Sequence, residues 1–250
     1  MSPITGRRGR DRLAVLLASA ALIIPALAGC SAIKAIHKVE TTVHGNEQVI
    51  GLFTTSLKSG QPATFEATYT TTGSSPSRVV YAVRPPNQLA FTDSQPGPSA
   101  AGSGVGNFEL IVNSSGEFLC TRPASGSAAW ACQKLPKSGA AAERSLLGFY
   151  TPAHWVNFLK SFSLAAGFAG DKVSTSTTTV HGFAMRCVDF VASGVPGTSR
   201  ICTTAQHLLG FVQVAGDSTG FEITSYRSSP SGGLFDLPAG AKVTTSTGSS

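Results

Sequence analysis

The amino-acid sequence predicts an α+β fold, in which an antiparallel sheet packs against a few helices. Only 13% of the 250 residues are charged, whereas serine, threonine and glycine are abundant. This composition is typical of strands and turns rather than of long surface helices. Apolar residues recur with a period of two in many short segments and with helical spacing in two others. Because the connections within each group of strands are too short for parallel crossovers, antiparallel pairing is favoured.

The segment 1–29 has the parts of an export signal, and we exclude it from the fold. Its basic start carries Arg7, Arg8, Arg10 and Arg12. The segment 13–27 is apolar except for Ser19, which suits a signal core but is shorter than the roughly 20 residues of a spanning helix. The signal ends with Leu27, Ala28 and Gly29. Together with Cys30, which follows directly, these residues resemble the lipobox of bacterial lipoproteins. We therefore expect cleavage before Cys30 and lipid on its thiol, which would anchor the protein at the extracytoplasmic face of the cell membrane.

The mature chain is long enough for a lipidated tether, 30–45, and one domain, 46–250. Loss of the four arginines and of Asp11 with the signal lowers the formal net charge from +6 to +3. This charge is too small to indicate nucleic-acid binding. We expect a monomer that binds no cofactor.

The domain begins with a helical pattern that is followed by a group of strands. Asn46 could cap the helix, and its apolar face carries Val49, Ile50, Phe53 and Leu57. Alternation then predicts strands over 63–70, 78–83, 88–92, 107–112, 116–121 and around Trp130. The stretch 93–106 is almost wholly Ser, Gly, Pro and Ala, and it is predicted to be a loop.

A second helical region is predicted from about residue 140, and more strands follow it. Thr151 and Pro152 are typical of a helix start. An apolar stripe then recurs at three- and four-residue spacing, formed by Trp155, Phe158, Leu159 and Phe162. The remaining strands are predicted over 172–180, 183–191, 199–203, 208–215 and 221–226.

Four cysteines remain once Cys30 is assigned to lipid. Outside the cytoplasm they can form two disulfides, in three possible connectivities. We expect Cys120 to pair with Cys132 and Cys187 with Cys202, because each pair flanks a turn-rich segment and could join neighbouring strands. The alternative is a four-cysteine metal site, but the sequence lacks the CxxC spacing typical of one.

No pattern in the sequence indicates catalysis strongly, and we expect the protein not to be an enzyme. The segment 216–220 matches the G-x-S-x-G pattern of serine hydrolases with Ser218 at its centre, but the strand patterns on both sides favour a hairpin turn. A hydrolase is kept as a third hypothesis for this segment alone. The histidines lack the close spacing of a metal site: His37, His44, His154, His181 and His207.

The layout resembles the half-barrel carriers of the LolA/LolB class and, with the lipobox, their relatives of the LppX/LprG type. The resemblance covers about residues 46 to 243. It rests on the element order, on Val180, His181 and Gly182 with Cys187 following, and on the closing segment 235–243. It implies a curved antiparallel half-barrel sheet of about ten strands packed against a few helices, with an apolar cavity between them that accepts acyl chains.

The leading functional hypothesis is therefore binding, and carriage, of a lipid or other hydrophobic ligand. The residues expected to line its cavity are Trp155, Phe158, Leu159, Phe162, Phe65 and Tyr69. From spacing alone, the same side chains could instead form an ordinary core. The alternative function is an envelope interaction or sensor module whose half-barrel is filled and holds no ligand. The volume of apolar cavity distinguishes the two.

Overall fold

A computed structural model describes residues 45–58, 62–73, 76–94, 105–123, 129–136, 155–161, 173–191, 194–216 and 220–245. The predicted signal peptide and Cys30 lie outside these residues, as do Thr151, Pro152, Phe162 and Ser218, so what was predicted of them stays a prediction. Among the helices in the described ranges, none combines the length and the apolar character needed to cross a membrane.

One sheet of twelve strands forms the body of the described chain. The strands are β1 (Phe65–Thr72), β2 (Arg78–Arg84), β3 (Gln88–Ser94), β4 (Val105–Asn113), β5 (Gly116–Pro123), β6 (Ala131–Lys134), β7 (Val173–Val180), β8 (Phe183–Phe190), β9 (Ser199–Thr204), β10 (Leu209–Gln213), β11 (Gly220–Arg227) and β12 (Lys242–Thr245). Their spatial order is β12-β6-β5-β4-β3-β2-β1-β11-β10-β9-β8-β7. The sheet is open, with β12 and β7 at its two edges.

The α+β class is confirmed, but the expected number of about ten strands is wrong. β12, the strand that no sequence pattern predicted, pairs with β6 in parallel, whereas antiparallel pairing was expected throughout. All four residues of β12 are exposed, so its sequence carries no buried and exposed alternation that would predict a strand. Its start is held by a hydrogen bond from the Lys242 amide to the Trp130 carbonyl, 2.9 Å long. The half-barrel is not established by this open order and stays a prediction.

The loop predicted over 93–106 is shorter than expected, because the strands on both sides extend into it. Asp93 and Ser94 continue β3, and Val105 and Gly106 begin β4. The pair nearest the loop is Ser94 and Asn107. The paired region of β3 and β4 is therefore longer than the alternation alone indicated.

Two helices lie on one face of the sheet, α1 (45–58) and α2 (155–161). The predicted apolar face of α1 is confirmed, since Ile50, Phe53 and Leu57 are buried. In α2 the ring of Phe158 lies 6.0 Å from the ring of Phe190 on β8. Asn46 also connects α1 to the sheet, because its side-chain oxygen accepts a hydrogen bond of 3.0 Å from the Val173 amide at the start of β7.

The opposite face of the sheet is partly covered by the C-terminal segment. Phe235, in a short 3-10 turn at Gly232–Phe235, packs with Ala82 and Ala90. Leu237 packs against a small cluster that contains Phe118. The closing segment therefore has a structural role, which is to bury apolar side chains that the helices do not reach.

Both predicted disulfides are present and join neighbouring strands. Cys120 of β5 is bonded to Cys132 of β6, and Cys187 of β8 to Cys202 of β9. Each pair lies directly opposite in register. All four cysteines are buried, so the bonds belong to the core and reinforce the strand pairing at both ends of the sheet.

Candidate functional site

The side chains expected to bind a ligand are packed against other side chains of the core. Trp155, Leu159, Phe65 and Tyr69 are each at most 2% exposed. The ring of Phe65 lies 5.3 Å from that of Tyr81, and the ring of Tyr69 lies 5.3 Å from that of Phe221, both in edge-to-face geometry. The structure thus brings the described members of the predicted set together as a packed layer between helices and sheet, and Phe162 lies outside the described residues. Their contact with a ligand stays a prediction.

A cavity of about 590 Å³ lies elsewhere, where α1 meets the hairpins of β7, β8 and β9. It is lined largely by hydroxyl-bearing side chains, together with one arginine, one histidine and a few apolar groups. The residues that matter most for its chemistry are Ser56, Thr177, Arg186, Thr203 and His207. Five of the predicted ligand-binding residues are not among the residues that line it, and the sixth, Phe162, lies outside the described residues.

Arg186 stands in a cross-strand row in this cavity. It lies directly opposite Thr177 of β7 on one side and Thr203 of β9 on the other. Side chains at directly opposite positions share a face of the sheet and have Cβ atoms about 5 Å apart. Further along β8 the same face carries Val188 and Phe190, which are buried at 0% and 2% exposure. The apolar core therefore gives way to the polar cavity between Val188 and Arg186.

The guanidinium of Arg186 has no hydrogen-bond or ion-pair partner among the described residues. Other arginines are engaged: Arg84 donates a 2.7 Å hydrogen bond to the Pro230 carbonyl, and Arg200 forms a 2.6 Å ion pair with Asp189. The lining residues that the structure describes include no aspartate or glutamate. The positive charge of Arg186 is thus not neutralised by any of the lining residues within the described ranges.

His207 enters the same cavity from the turn between β9 and β10. A hydrogen bond of 3.0 Å joins its Nδ1 atom to the hydroxyl of Ser56 on α1. The residue has a φ of 57°, a left-handed conformation that few non-glycine residues adopt and that costs of order 1–3 kcal/mol. The Thr204 hydroxyl stabilises the turn by accepting a 3.2 Å hydrogen bond from the Gln206 amide. Sequence reasoning missed this pair because 151 positions separate Ser56 from His207.

The motifs that suggested other chemistry take ordinary structural places. His181 and Gly182 form the hairpin turn between β7 and β8, with φ values of 49° and 83°, as expected for a two-residue turn with positive φ at both positions. The strands β10 and β11, which flank the segment 216–220, pair antiparallel, as the sequence patterns on both sides of it indicated; the turn around Ser218 lies outside the described residues. Within the described ranges, no group of three or more His, Cys, Asp or Glu side chains could hold a metal ion.

No protein-family model matches the chain, and no curated protein matches its sequence. Among solved structures, the chain is similar to MucB at 10% identity with a TM-score of 0.44, covering 77% of this chain and 64% of that one. It is similar to an uncharacterized conserved protein from Thermus thermophilus at 8% identity and a TM-score of 0.39, covering 86% and 99%. A structure of PNGF-II matches at 11% identity and a TM-score of 0.30, covering 73% and 30%. The chain thus spans less than two thirds of MucB and of PNGF-II, and none of these likenesses supports a functional argument.

Proposed function

We propose that this protein binds an amphipathic ligand, such as an acylated molecule, in the cavity between α1 and strands β7 to β9, and that it does not change the ligand chemically. The observation that carries the proposal is the cavity of about 590 Å³. This volume falls within the roughly 300–1,000 Å³ of small-molecule sites. Met185, Ala184 and Ala205 offer apolar surface, while hydroxyl groups and Arg186 offer hydrogen-bond donors. Such mixed walls suit a ligand that has an apolar and a polar part.

The packed stripe on α2 supports a second function, that of an interaction or sensor module. Trp155 and Leu159 are 2% and 0% exposed, and the Trp155 ring lies 5.5 Å from the Phe158 ring. A filled interior at this position gives a rigid domain that presents its outer surface to a partner. The two functions differ in where a substitution matters, since a ligand binder depends on the cavity and an interaction module depends on the surface.

We also propose that binding takes place at the extracytoplasmic face of the cell membrane, where lipid on Cys30 would anchor the chain. The order of a basic start, an apolar segment and Leu27-Ala28-Gly29-Cys30 supports this location. Each buried methylene contributes about 0.8 kcal/mol to membrane binding, so two or three acyl chains suffice for stable anchoring. The half-barrel curvature belongs to the same proposal, because a concave sheet would shelter a ligand delivered from the bilayer.

Filling the cavity tests ligand binding. Thr177 lines the cavity and is exposed on edge strand β7, so Thr177→Trp should fill space without disturbing the core. Thr175→Trp is the matched control, because Thr175 is exposed on the same face of the same strand but does not line the cavity. Native mass spectrometry of protein purified from its own host should find ligand on the wild type and on the control. It should find little on Thr177→Trp at equal thermal stability.

Two results would count against this assignment. If the wild-type protein from its native envelope carries no ligand, or if Thr177→Trp carries as much as the control, the interaction module becomes the better account.

The anchor is tested separately with Cys30→Ala, which should abolish metabolic labelling by a fatty-acid analogue. Labelling that persists at the wild-type level would show that the lipobox hypothesis is wrong.

A further inference from the structure

The geometry of the cavity points to a ligand whose polar end is an anionic oxyacid group, a carboxylate or a phosphate, and we propose that Arg186 binds this group. The inference rests on the proposed function and goes beyond it by naming the chemical class of the ligand. Its starting point is that Arg186 lines the cavity and has no partner among the described residues.

The neighbours of Arg186 suit an oxyanion. A guanidinium presents several N–H donors in one plane and matches the two oxygens of a carboxylate or phosphate. Thr177 and Thr203 lie directly opposite Arg186 on the two adjacent strands, so their hydroxyls can donate to the remaining lone pairs of the same group. Thr203 is only 4% exposed, whereas Arg186 and Thr177 are exposed, so the row extends from the buried interior to the solvent.

The charge balance of the cavity favours an anion as well. Among the described residues that line the cavity there is no aspartate or glutamate, so none of these side chains offers a carboxylate that competes with the ligand for Arg186. His207 uses Nδ1 for its hydrogen bond with Ser56, and its Nε2 has no partner in the part of the chain that the structure describes. That nitrogen can add a second contact to an oxyanion in the cavity.

The apolar groups that line the same cavity indicate the chemical character of the other end of the ligand. Ala184 lies two positions before Arg186 on β8, and Ala205 follows directly after β9. Neither side chain can form a hydrogen bond, so this part of the wall suits an acyl chain better than a free inorganic ion. The ligand class is therefore an acyl chain that ends in, or is joined to, an anionic headgroup.

The test compares two probes of equal chain length, a fluorescent dodecanoic acid and its neutral methyl ester. Wild-type protein should bind the acid about twofold to fivefold more tightly than the ester, because Arg186 is exposed and a charge pair at an exposed side chain contributes up to about 1 kcal/mol. Arg186→Gln should remove this preference, and Arg186→Lys should keep part of it because the charge remains while the paired donors are lost. Arg78→Gln is the matched control, because Arg78 is exposed on β2, lies outside the cavity lining and also has no partner among the described residues.

Competition distinguishes a lipid headgroup from a free ion. Dodecyl phosphate should displace the fluorescent acid, whereas inorganic phosphate and acetate at the same concentration should not. Equal binding of acid and ester by the wild type would overturn the inference and leave the proposed function standing. Failure of both probes to bind the wild type would overturn the proposed function as well. Displacement by inorganic phosphate as effective as that by dodecyl phosphate would show a site for a small anion, and the acyl part of the inference would be wrong.

Discussion

His181 and Glu222 are in contact, with 2.8 Å between Nε2 and Oε1, although β7 and β11 are four places apart in the order of the sheet. In a flat sheet with a strand spacing of about 4.8 Å, these strands would lie roughly 19 Å apart. The β7–β8 hairpin must therefore bend over the sheet until its turn reaches β11. Strongly twisted sheets bend in this way at their corners.

The Cys187–Cys202 disulfide lies on the same face of the sheet as Glu222, because Glu222, Phe211, Cys202 and Cys187 lie opposite one another on successive strands. Cys187 alternates along β8 with Arg186 and Val188, so its side chain points to the other face. Cys187 and Cys202 are nevertheless 1% and 0% exposed. The hairpin turn with His181 thus reaches Glu222 over the face of the sheet that carries the disulfide.

We predict a small energetic effect for the contact itself. The two side chains are 45% and 28% exposed, and pairs of this kind contribute from 0 to about 1 kcal/mol. A double-mutant cycle with Glu222→Gln and His181→Asn should give a coupling in this range, since asparagine tolerates the positive φ of the turn. Urea unfolding measures it. A coupling above about 2 kcal/mol would mean that the contact, rather than strand pairing, holds the hairpin in place.

The Cys187–Cys202 disulfide should contribute more to stability than the His181–Glu222 contact. The two cysteines are 15 positions apart, and closing a loop of this size contributes about 3 kcal/mol in the chain-entropy model. Replacing both with alanine should lower the free energy of unfolding by that order. The Cys120→Ala and Cys132→Ala pair, with a separation of 12, is the control and should lose a similar amount. A loss below about 1 kcal/mol in either double variant would contradict this prediction.

Asp93 gives a pH-dependent prediction. Burial raises the pKa of its carboxyl group, and the hydrogen bond from Ser77 opposes this only in part. One carboxyl oxygen is buried without a hydrogen-bond partner in the described residues. Since the folded state holds the proton more tightly than the unfolded state, the stabilisation is present at low pH and is lost as the pH rises through the folded pKa.

Asp93→Asn should therefore raise the free energy of unfolding at about pH 7, by less than about 1 kcal/mol because the group is only partly buried. The gain should shrink towards about pH 3, where the wild-type carboxyl is protonated. Urea unfolding at the two pH values measures the difference. Asp236→Asn, at an exposed position, serves as the control. A gain that grows as the pH falls would have the wrong sign.

Two glycines should respond in opposite ways to alanine. A Cβ atom on Gly220 would collide with the backbone carbonyl oxygen of Val212, and backbone cannot move without disturbing the pairing of β10 with β11. Gly51 lies in α1 with open space around it, and alanine favours a helix over glycine by about 1 kcal/mol. Thermal unfolding should show Gly51→Ala stabilised and Gly220→Ala destabilised by roughly 1–3 kcal/mol. Equal responses would contradict the local geometry.

The alternation of apolar and polar residues predicted most strands, because burial of one face of a strand places an apolar residue at every second position. Phe65, Ala67 and Tyr69 on β1 alternate with more polar residues, and all three are buried. The same rule failed for β12, where Val243 is 48% exposed and no face is buried. β12 forms because it can pair with the edge of β6. The sequence of β12 contains no pattern that predicts this pairing.

The cavity could not be predicted from the sequence for a related reason. Thr177 and Thr203 are typical strand residues, and nothing in their spacing marks them as neighbours of Arg186. Their juxtaposition depends on the register of three strands, and the Ser56–His207 contact depends on how α1 packs. The apolar stripe, by contrast, was easy to detect. Its spacing shows that the residues share a helix face, but it does not distinguish a cavity wall from a packed core.

The last prediction separates these two roles of the stripe. Leu159 is 0% exposed, and truncating a buried leucine to alanine costs about 2–5 kcal/mol through lost burial and a residual cavity. Leu159→Ala should show this loss in urea unfolding, whereas Leu52→Ala, at a position 72% exposed in α1, should change stability by no more than about 0.5 kcal/mol. Binding of dodecanoic acid, measured where both variants are folded, should be unchanged because the ligand occupies the cavity beside Arg186. If instead Leu159→Ala folds with nearly wild-type stability and loses the ligand, the stripe lines the binding site, as the sequence alone suggested.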